Sequence, residues 1–312
     1  MRAALPNLLL CSIVGGSLAQ DLPQAPKRGS SRWGKDDQRG AINYITPAKT
    51  AEAARLITTG RIYSLGHLYE EGMPLLSGRS YSLIIPQPGP PQGKNRILGH
   101  DEFVATQIGQ IGTQFDSLGH VGIGDTFYNG NDRKEFVTYK GLTKLGVENV
   151  GVFFTRGILL DIAALKGKAH LEKGYEVTDV DLKQALQRQK LEIQTGDAVI
   201  IHTGWGSLWG VDNATFTSGE PGIGIPAARF LVQKQIALVA SDNWGVDVAP
   251  HPTPGLMYPA HQVLITQNGT YILEGLDTSG LIKDKVHEFA FIFAPLRMKG
   301  ATGSPGNPIA VK

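Results

Sequence analysis

One short segment of the chain combines two amides, a carboxylate and an imidazole. It reads Gln110-Ile-Gly-Thr-Gln-Phe-Asp-Ser-Leu-Gly-His120. If the segment is extended, Gln110, Gln114 and Asp116 share one face, because strand side chains repeat every second residue. Gly119 lets the chain turn back, so that His120 can reach that face. The pattern can hold a divalent ion or an activated water, with His120 as the proton carrier. Alternatively, Asp116 and His120 satisfy backbone groups at a strand-to-loop corner.

A second pair of chemical groups is formed by His261 and Glu274. His261 opens the apolar run 262–265, and Glu274 follows Asn268-Gly269, a dipeptide typical of hairpin turns. The pattern predicts two paired strands that bring His261 beside Glu274. A buried carboxylate needs a partner, because burying it unpaired costs several kcal/mol. The partner is a metal or His120, or else a Lys or Arg in a salt bridge at the strand end.

Aromatic and acidic residues follow two other apolar runs. Trp205 and Trp209 come directly after one such run, at the position where α/β folds place binding loops. We expect them to wall a planar substrate, although core packing of one of them is the alternative. Asp242 and Asp247 follow the next run and either orient a ligand or cap a turn.

Several other chemistries lack their sequence signals. No Gly-x-Ser-x-Gly elbow occurs, and the chain has no closely spaced Cys or His cluster of the zinc type. The glycines of Pro221-Gly-Ile-Gly-Ile225 lack the strand-Gly-x-Gly-x-x-Gly-helix pattern of a nucleotide-binding loop. The 30 basic and 28 acidic residues give a net charge of +2, with no basic block for nucleic acid.

The pattern along the chain predicts one α/β domain. Thr46 and Pro47 predict a helix over 48–57, Thr178 caps a helix over 179–189, and a third helix is expected near 226–234. Apolar runs at 157–162, 197–203 and 236–240 are typical of strands buried on both faces. The proline-rich loop 86–91 is expected to overhang another part of the molecule.

The N-terminus predicts secretion. Arg2, the apolar stretch 8–14 and Ser17-Leu-Ala19 form the pattern of a signal peptide over 1–19, too short to remain as a membrane anchor. Cys11, the single cysteine, lies inside it. Residues 20–31 predict a flexible lead and 32–312 the catalytic domain. Asn213 and Asn268 begin two Asn-x-Thr triplets that are glycosylation acceptors in a eukaryotic host.

These motifs together resemble the cyclase/kynurenine formamidase superfamily. Its signature is His-x-Gly-Thr-His-x-Asp-x-Pro-x-His, and residues 110–120 match it with glutamine for both leading histidines and Leu118 for the proline. Other blocks of the longer members recur along nearly the whole mature chain: Arg32-Trp-Gly-x-Asp-Asp37, Gly196-Asp-Ala-Val-Ile-Ile-His-Thr-Gly-Trp205, Ser241-Asp-Asn-Trp-Gly245, His261-Gln262 and Gly300-Ala-Thr-Gly-Ser-Pro305.

The resemblance implies a fold and a set of site residues. The fold would be a single α/β domain with a central mixed β-sheet or barrel-like β core flanked by helices. His120, with Asp116, would be the general acid/base. Substrate contacts would come from Trp205, Trp209, Trp244 and Phe115, and the metal ligands would be Asp116, His261, Glu274, Gln110 and Gln114.

The two glutamines bear on the metal. An amide oxygen is a weaker zinc ligand than imidazole, and oxygen ligands favour harder ions. We therefore expect a divalent ion, with Mn, Mg and Zn as the candidates, or a protein that works without metal.

The resemblance also implies a function. We expect a secreted hydrolase or cyclase that acts on an amide, formamide or lactone bond of a small cyclic or aromatic molecule, in a homo-oligomer and without a nucleic acid or membrane partner. The alternatives are a metal-independent cyclase or dehydratase of secondary metabolism, and a secreted ligand-binding relative without catalysis.

Overall fold

The computed structural model describes residues 22–312. The predicted signal peptide therefore lies outside the described residues. Within residues 22–312, every helix is too short or too polar to cross a membrane.

The strands are short except at the centre of the molecule. In chain order they are β1 (Ile62–Ser64), β2 (Tyr81–Ile84), β3 (Phe103–Thr106), β4 (Gln114–Asp116), β5 (Thr126–Phe127), β6 (Asn131–Asp132), β7 (Val137–Thr138), β8 (Gly141–Leu142), β9 (Phe153–Asp161), β10 (Glu176–Val177), β11 (Ala198–His202), β12 (Gly222–Ile223), β13 (Leu238–Ser241), β14 (Tyr271–Glu274), β15 (Glu288–Phe293), β16 (Gly303–Pro305) and β17 (Ile309–Val311).

Nine of these strands form one curled, mixed sheet in the order β1-β17-β15-β9-β11-β13-β14-β4-β16. The neighbours β9, β11, β13 and β14 run parallel. Their side chains are buried on both faces, which explains the continuous apolar runs in the sequence. The expected α/β domain with a central mixed sheet is confirmed. Because β11, β13 and β14 are parallel, their carboxyl ends bring Thr203, Asp242 and Glu274 to one edge of the sheet.

Eight α-helices accompany the sheet: α1 (Pro47–Ala54), α2 (Arg133–Phe136), α3 (Ile162–Leu165), α4 (Asp179–Gln189), α5 (Asn213–Thr217), α6 (Ile225–Gln233), α7 (Pro259–His261) and α8 (Ser279–Asp284), described over residues 22–312. The three predicted helices are present as α1, α4 and α6. The side chain of Thr46 caps α1 by accepting from the backbone of Lys49 at 3.2 Å. Thr178 and Asp181 form a reciprocal capping box at the start of α4. The first helix ends at Ala54, three residues earlier than expected.

The predicted strand after His261 is wrong. Residues Gln262–Gln267 form a π-helical turn that continues α7, and β14 pairs with β13 and β4 instead of with this segment. The reason lies at the start of the helix, where the Asp247 carboxylate accepts from the backbone N–H groups of Ala260 and His261 at 2.7 and 3.0 Å. A carboxylate that satisfies these free N–H groups stabilises a helical start, and Pro259 fits the first helical position.

Candidate active site

The register between β4 and β14 determines which side chains enter the site. Gln114 lies directly opposite Glu274, and Asp116 lies opposite Ile272. Alternation along β4 places Gln114 and Asp116 on one face, as predicted. The segment before β4 is not extended, because Gln110 and Gly112 have φ angles of 61° and 55°. The bend nevertheless returns Gln110 to the same site.

Phe115 points to the other face of β4. It is completely buried, and its ring lies 5.6, 5.3 and 5.3 Å from the ring centroids of Phe153, Tyr271 and Phe293. An aromatic core cluster accounts for this residue. The expectation that Phe115 contacts substrate is therefore not met, because the strand alternation turns it away from Asp116.

Asp116, His120 and His261 converge around one point. The Nε2 atoms of His120 and His261 lie 3.6 Å from Oδ1 and Oδ2 of Asp116, respectively. One ligand atom from each residue lies within 4.8 Å of the others. Asp116 and His261 are buried, whereas the His120 side chain is 25% exposed. Oδ2 of Asp116 is buried and lacks a hydrogen-bond partner among residues 22–312.

His261 is surrounded by carboxylates. Its Nδ1 lies 2.6 Å from Oδ2 of Asp247, and its Nε2 lies 3.2 Å from Oε1 of Glu274. Burial alone would lower the pKa of His261, but Asp116, Asp247 and Glu274 outweigh that effect and raise the pKa well above its usual value. The predicted meeting of His261 and Glu274 therefore occurs, although a helix and not a hairpin delivers it.

Glu274 accepts several hydrogen bonds at the buried end of β14. Gln110 and Gln114 donate their amide N–H groups to Oε2 at 2.8 and 2.5 Å, and the backbone of Val246 donates to Oε1 at 3.2 Å. Burial and the charge of Asp116 raise the pKa of Glu274, against the lowering effect of His261 and Gln114.

The orientation of the Gln114 amide is determined by its neighbour. Its Oε1 accepts from the backbone N–H of Gln110 at 2.7 Å, and a backbone N–H can only donate. The amide nitrogen must therefore face Glu274. Gln114 presents a donor to the site, so the expectation that its oxygen is a metal ligand is not met. Oε1 of Gln110 remains buried and without a hydrogen-bond partner among the described residues.

Glu220 is a buried acid that the sequence did not indicate. It is completely buried, and its Oε2 accepts from the backbone of Gly245 at 3.0 Å. Burial and the nearby charge of Glu274 raise its pKa well above the usual value. A Cβ at Gly245 would lie 2.5 Å from Oε1 of Glu220, so a larger residue there would displace this carboxylate. No motif around Glu220 marks it, because only the three-dimensional fold brings it to the site.

A cavity of about 250 Å³ opens onto these groups. Trp244 and Tyr258 form an aromatic wall, with ring centroids 6.5 Å apart. Trp244, a predicted substrate contact, lines the cavity, and its buried Nε1 has no hydrogen-bond partner within residues 22–312. The remaining lining residues are apolar, amide or charged: Leu76, Val121, Gly245, Gln110, Arg79, His120, His261 and Glu274.

Trp205 and Trp209 do not line this cavity. Trp205 is 2% exposed and donates its Nε1–H to the backbone of Phe216 at 3.1 Å. Trp209 stacks on His67 with 4.0 Å between the ring centroids. Trp205 therefore packs in the core, as the alternative prediction had it. The expectation that Trp205 and Trp209 wall a planar substrate is not met at this cavity.

The two aspartates after β13 have separate tasks. Asp242 accepts from the backbones of Thr203 and Gly204, both at 2.8 Å, and lies 3.0 Å from Nδ1 of His202. It therefore secures the loop after β11, away from His120. Asp247, by contrast, holds both the backbone and the ring of His261.

The arrangement can carry proton-transfer chemistry. His120 is the partly exposed imidazole of the cluster and lines the cavity, and Oδ1 of the buried Asp116 lies 3.6 Å from its Nε2. A carboxylate next to an imidazole orients the ring for proton transfer.

Comparisons with known proteins identify the family. The model of the family described as "Putative cyclase" matches residues 63–248. The crystal structure of a novel cyclase is 36% identical in sequence to this chain and superposes with a TM-score of 0.83. The match covers 94% of this chain and 98% of the cyclase chain. A search of curated proteins gives no significant match.

More distant structures have the same fold. Isatin hydrolase A from Ralstonia solanacearum is 18% identical, with 86% and 98% of the two chains covered and a TM-score of 0.60. An isatin hydrolase bound to the product analogue thioisatinate is 20% identical, with coverage of 85% and 98% and a TM-score of 0.59. Together with the family model and the relative at 36% identity, the comparisons show that this chain belongs to the cyclase family.

Proposed function

We propose that this protein is a metal-dependent hydrolase or cyclase that opens or closes an amide, formamide or lactone bond in a small cyclic or aromatic molecule. The observation that carries the proposal is the convergence of Asp116, His120 and His261 at an aromatic-walled cavity. The isatin hydrolases of the same fold add support, because isatin contains a cyclic aryl amide.

The residues of the site fit a divalent ion. Asp116 Oδ2 is a buried carboxylate oxygen without a hydrogen-bond partner in the described chain, and the cluster offers imidazole nitrogens beside it. One carboxylate and imidazole suit borderline ions such as Mn and Zn. Asp116 and His261 would hold the ion, next to Glu274. When bound, the ion would polarise the substrate carbonyl and lower the pKa of water.

His120 is the proton carrier in this proposal. It is the exposed member of the cluster and lines the cavity, so that it can reach both water and substrate. In hydrolysis it takes a proton from water as the water oxygen bonds to the carbonyl carbon. It then returns the proton to the nitrogen or oxygen that leaves as the C–N or C–O bond breaks. Cyclisation follows the same steps in reverse.

The cavity also suggests a substrate class. Trp244 and Tyr258 provide flat apolar surface for a ring. Arg79 lies at the rim and donates Nε and Nη1 to the backbones of Gly109 and Ser77, both at 3.3 Å. We infer that the substrate is aromatic and that an anionic substituent pairs with the guanidinium.

A substrate panel tests this function. Purified protein would be assayed with aryl lactams, aryl formamides and lactones, each with and without a carboxylate substituent. We expect turnover of at least one cyclic or formyl compound and preference for its acidic form. The Arg79→Gln variant should raise KM for the acidic form more than for the neutral form, whereas no turnover of any class would contradict the proposal.

A metal-independent form of the reaction is the second candidate. The specific observation in its favour is that Gln110, Gln114, His261 and Val246 supply Glu274 with hydrogen bonds and ion pairing from protein groups alone. Activity measured in verifiably metal-free protein separates the two candidates.

Secretion remains a proposal that rests on the N-terminal sequence. N-terminal sequencing of extracellular protein should return a start near Gln20. The proposal of secretion does not include glycosylation at the two Asn-x-Thr triplets. Nδ2 of Asn213 donates to the backbone of Gly72 at 2.9 Å, and Nδ2 of Asn268 donates to the backbone of Val263 at 2.7 Å. A glycan would replace one of the two hydrogens on each of these nitrogens.

A further inference from the structure

The sequence block over residues 32–37, Arg-Trp-Gly-Lys-Asp-Asp, lies outside the active-site cavity. Its first two residues line a second cavity, of about 270 Å³. Gln235 and Thr270, which precede β13 and β14, line the same cavity. Because β13 and β14 run parallel, this cavity lies at their amino ends, whereas Glu274 enters the active site from the carboxyl end of β14. The two cavities are therefore separate.

The loop that carries Arg32 is held by hydrogen bonds on both sides. The Asp37 carboxylate accepts from the hydroxyls of Ser31 and Tyr128 at 2.8 and 2.6 Å. The buried Asn129 accepts from the backbone N–H of Ser31 at 2.8 Å through its Oδ1. These contacts fix the backbone from which the Arg32 side chain extends.

Arg32 is an oriented cation without an acidic partner. Its guanidinium carbon lies 5.7 and 5.2 Å from the ring centroids of Trp33 and Tyr44, and its Nη1 donates to the Tyr44 hydroxyl at 2.5 Å. Within residues 22–312 no carboxylate pairs with it, and the described lining of the cavity includes no Asp or Glu. A guanidinium has five N–H groups, so its remaining edge can hold an oxyanion by two parallel hydrogen bonds.

Two side-chain amides supply acceptors at the same cavity. Nε2 of Gln267 donates to the backbone carbonyl of Gln24 at 2.8 Å, and Nδ2 of Asn268 donates to that of Val263 at 2.7 Å. A carbonyl only accepts, so the orientation of both amides is fixed and their oxygens are the atoms left for a ligand. Amide oxygens accept from hydroxyl groups and do not attract an anion. A ligand that uses both Arg32 and these oxygens must therefore carry hydroxyls as well as a negative charge.

We propose that this second cavity binds a small acidic sugar, that is, a polyhydroxylated ring with a carboxylate or a phosphate. Arg32 holds the oxyanion, while the oxygens of Gln267 and Asn268 accept from hydroxyls of the ring. The cavity volume is just below the range of about 300–1,000 Å³ for drug-sized ligands, so a single ring is the size that fits. The site does not depend on the proposed function, because it lies at the opposite ends of the strands.

Isothermal titration calorimetry tests the site with glucuronate, glucose 6-phosphate, glucose and acetate. We expect saturable binding of glucuronate, of glucose 6-phosphate or of both, with a Kd of about 1 mM or tighter. The stronger of the two identifies the anionic group as carboxylate or phosphate. Glucose lacks the oxyanion and acetate lacks the hydroxyls, so each should bind at least about tenfold more weakly. No binding of either acidic sugar, or equal binding of glucose or acetate, would overturn the proposal.

Substitutions locate the binding in the molecule. Arg32→Gln should weaken binding of the acidic sugar at least about tenfold, with an unchanged circular dichroism spectrum and melting temperature. Arg55→Gln removes an exposed arginine outside this cavity, and Arg79→Gln removes the arginine of the active-site cavity, so both should bind as wild type does. Unchanged binding by Arg32→Gln, or loss of binding by Arg79→Gln, would overturn the proposal. These measurements do not use turnover, so their failure is distinguishable from failure of the proposed function.

Discussion

Gln114 lies directly across the β4–β14 ladder from Glu274, and its amide donates to Oε2 of that carboxylate at 2.5 Å. The family signature resembled by this segment has histidine at the same position. An imidazole there can give a lone pair to a metal, whereas the amide in this chain gives a hydrogen to Glu274. In this chain the side chain at this position therefore holds a buried carboxylate by a hydrogen bond, and it offers no lone pair to an ion.

This relationship predicts the effect of Gln114→Glu. The new carboxylate has the shape of the amide but removes the donor and faces Glu274 with a like charge. We expect the free energy of unfolding at neutral pH to fall by about 1–3 kcal/mol or more, the cost of leaving a buried polar group unsatisfied. Denaturant unfolding measures it, and the exposed Gln233→Glu is the control. Equal stability of both variants would show that Gln114 does not hold Glu274.

Asp116→Asn tests the proposed ion site. The amide retains the shape of Asp116 but removes the negative charge and one lone-pair-bearing oxygen. We expect the variant to lose most of its bound divalent ion by elemental analysis while it remains folded. Asp125→Asn, at an exposed ion pair with Arg133, should keep the ion. Equal metal content in both variants would rule out Asp116 as a ligand.

His120→Ala tests the proton carrier. General acid/base groups contribute about 100- to 10,000-fold in rate, so kcat should fall by that order while the metal content and melting temperature stay near those of wild type. His251→Ala, which removes a ring nitrogen that accepts from the backbone of Thr253 and does not line this cavity, is the control. A kcat within a few-fold of wild type would show that another group carries the proton. Loss of the bound ion would show that His120 is a metal ligand.

The pair formed by His202 and Asp242 predicts a pH dependence of stability. Burial opposes protonation of His202, but Asp242 outweighs it and raises the His202 pKa above its usual value of 6.5. The stabilisation is therefore complete below pH 6.5 and is lost as pH rises through the raised pKa. The melting temperature of wild type relative to His202→Gln should decrease from pH 6 toward alkaline pH. If the melting temperatures of wild type and His202→Gln changed equally with pH, protonation of His202 would not be linked to stability.

Local patterns predicted much of the fold. Thr46 with Pro47, and Thr178, mark helix starts through contacts within a few residues, so the sequence alone predicted them. The period of two along β4 likewise placed Gln114 and Asp116 on one face.

The rest of the site depends on contacts between distant segments. The run after His261 is apolar enough for a strand, but Asp247 caps it into a helix from fourteen residues away. Glu220 is held beside the site by the backbone N–H of Gly245, a residue twenty-five positions away. Arg79 and Tyr258 line the cavity although neither belongs to a recognisable motif. Phe115 shows the converse, since the period of two that places Gln114 and Asp116 on the site also turns Phe115 to the opposite face, where it is buried in the core.

The most direct test of the central claim is the turnover of one lactam or formamide substrate by a single preparation in three states. The first is the protein as purified, the second is the chelated protein with verified absence of metal, and the third is the same protein after addition of Mn²⁺ or Zn²⁺. The account predicts that activity is lost with the ion and returns with it, because Asp116 and His261 hold an ion beside His120. Full activity in the metal-free sample would contradict the metal-dependent function and assign the chemistry to His120 and the carboxylates alone.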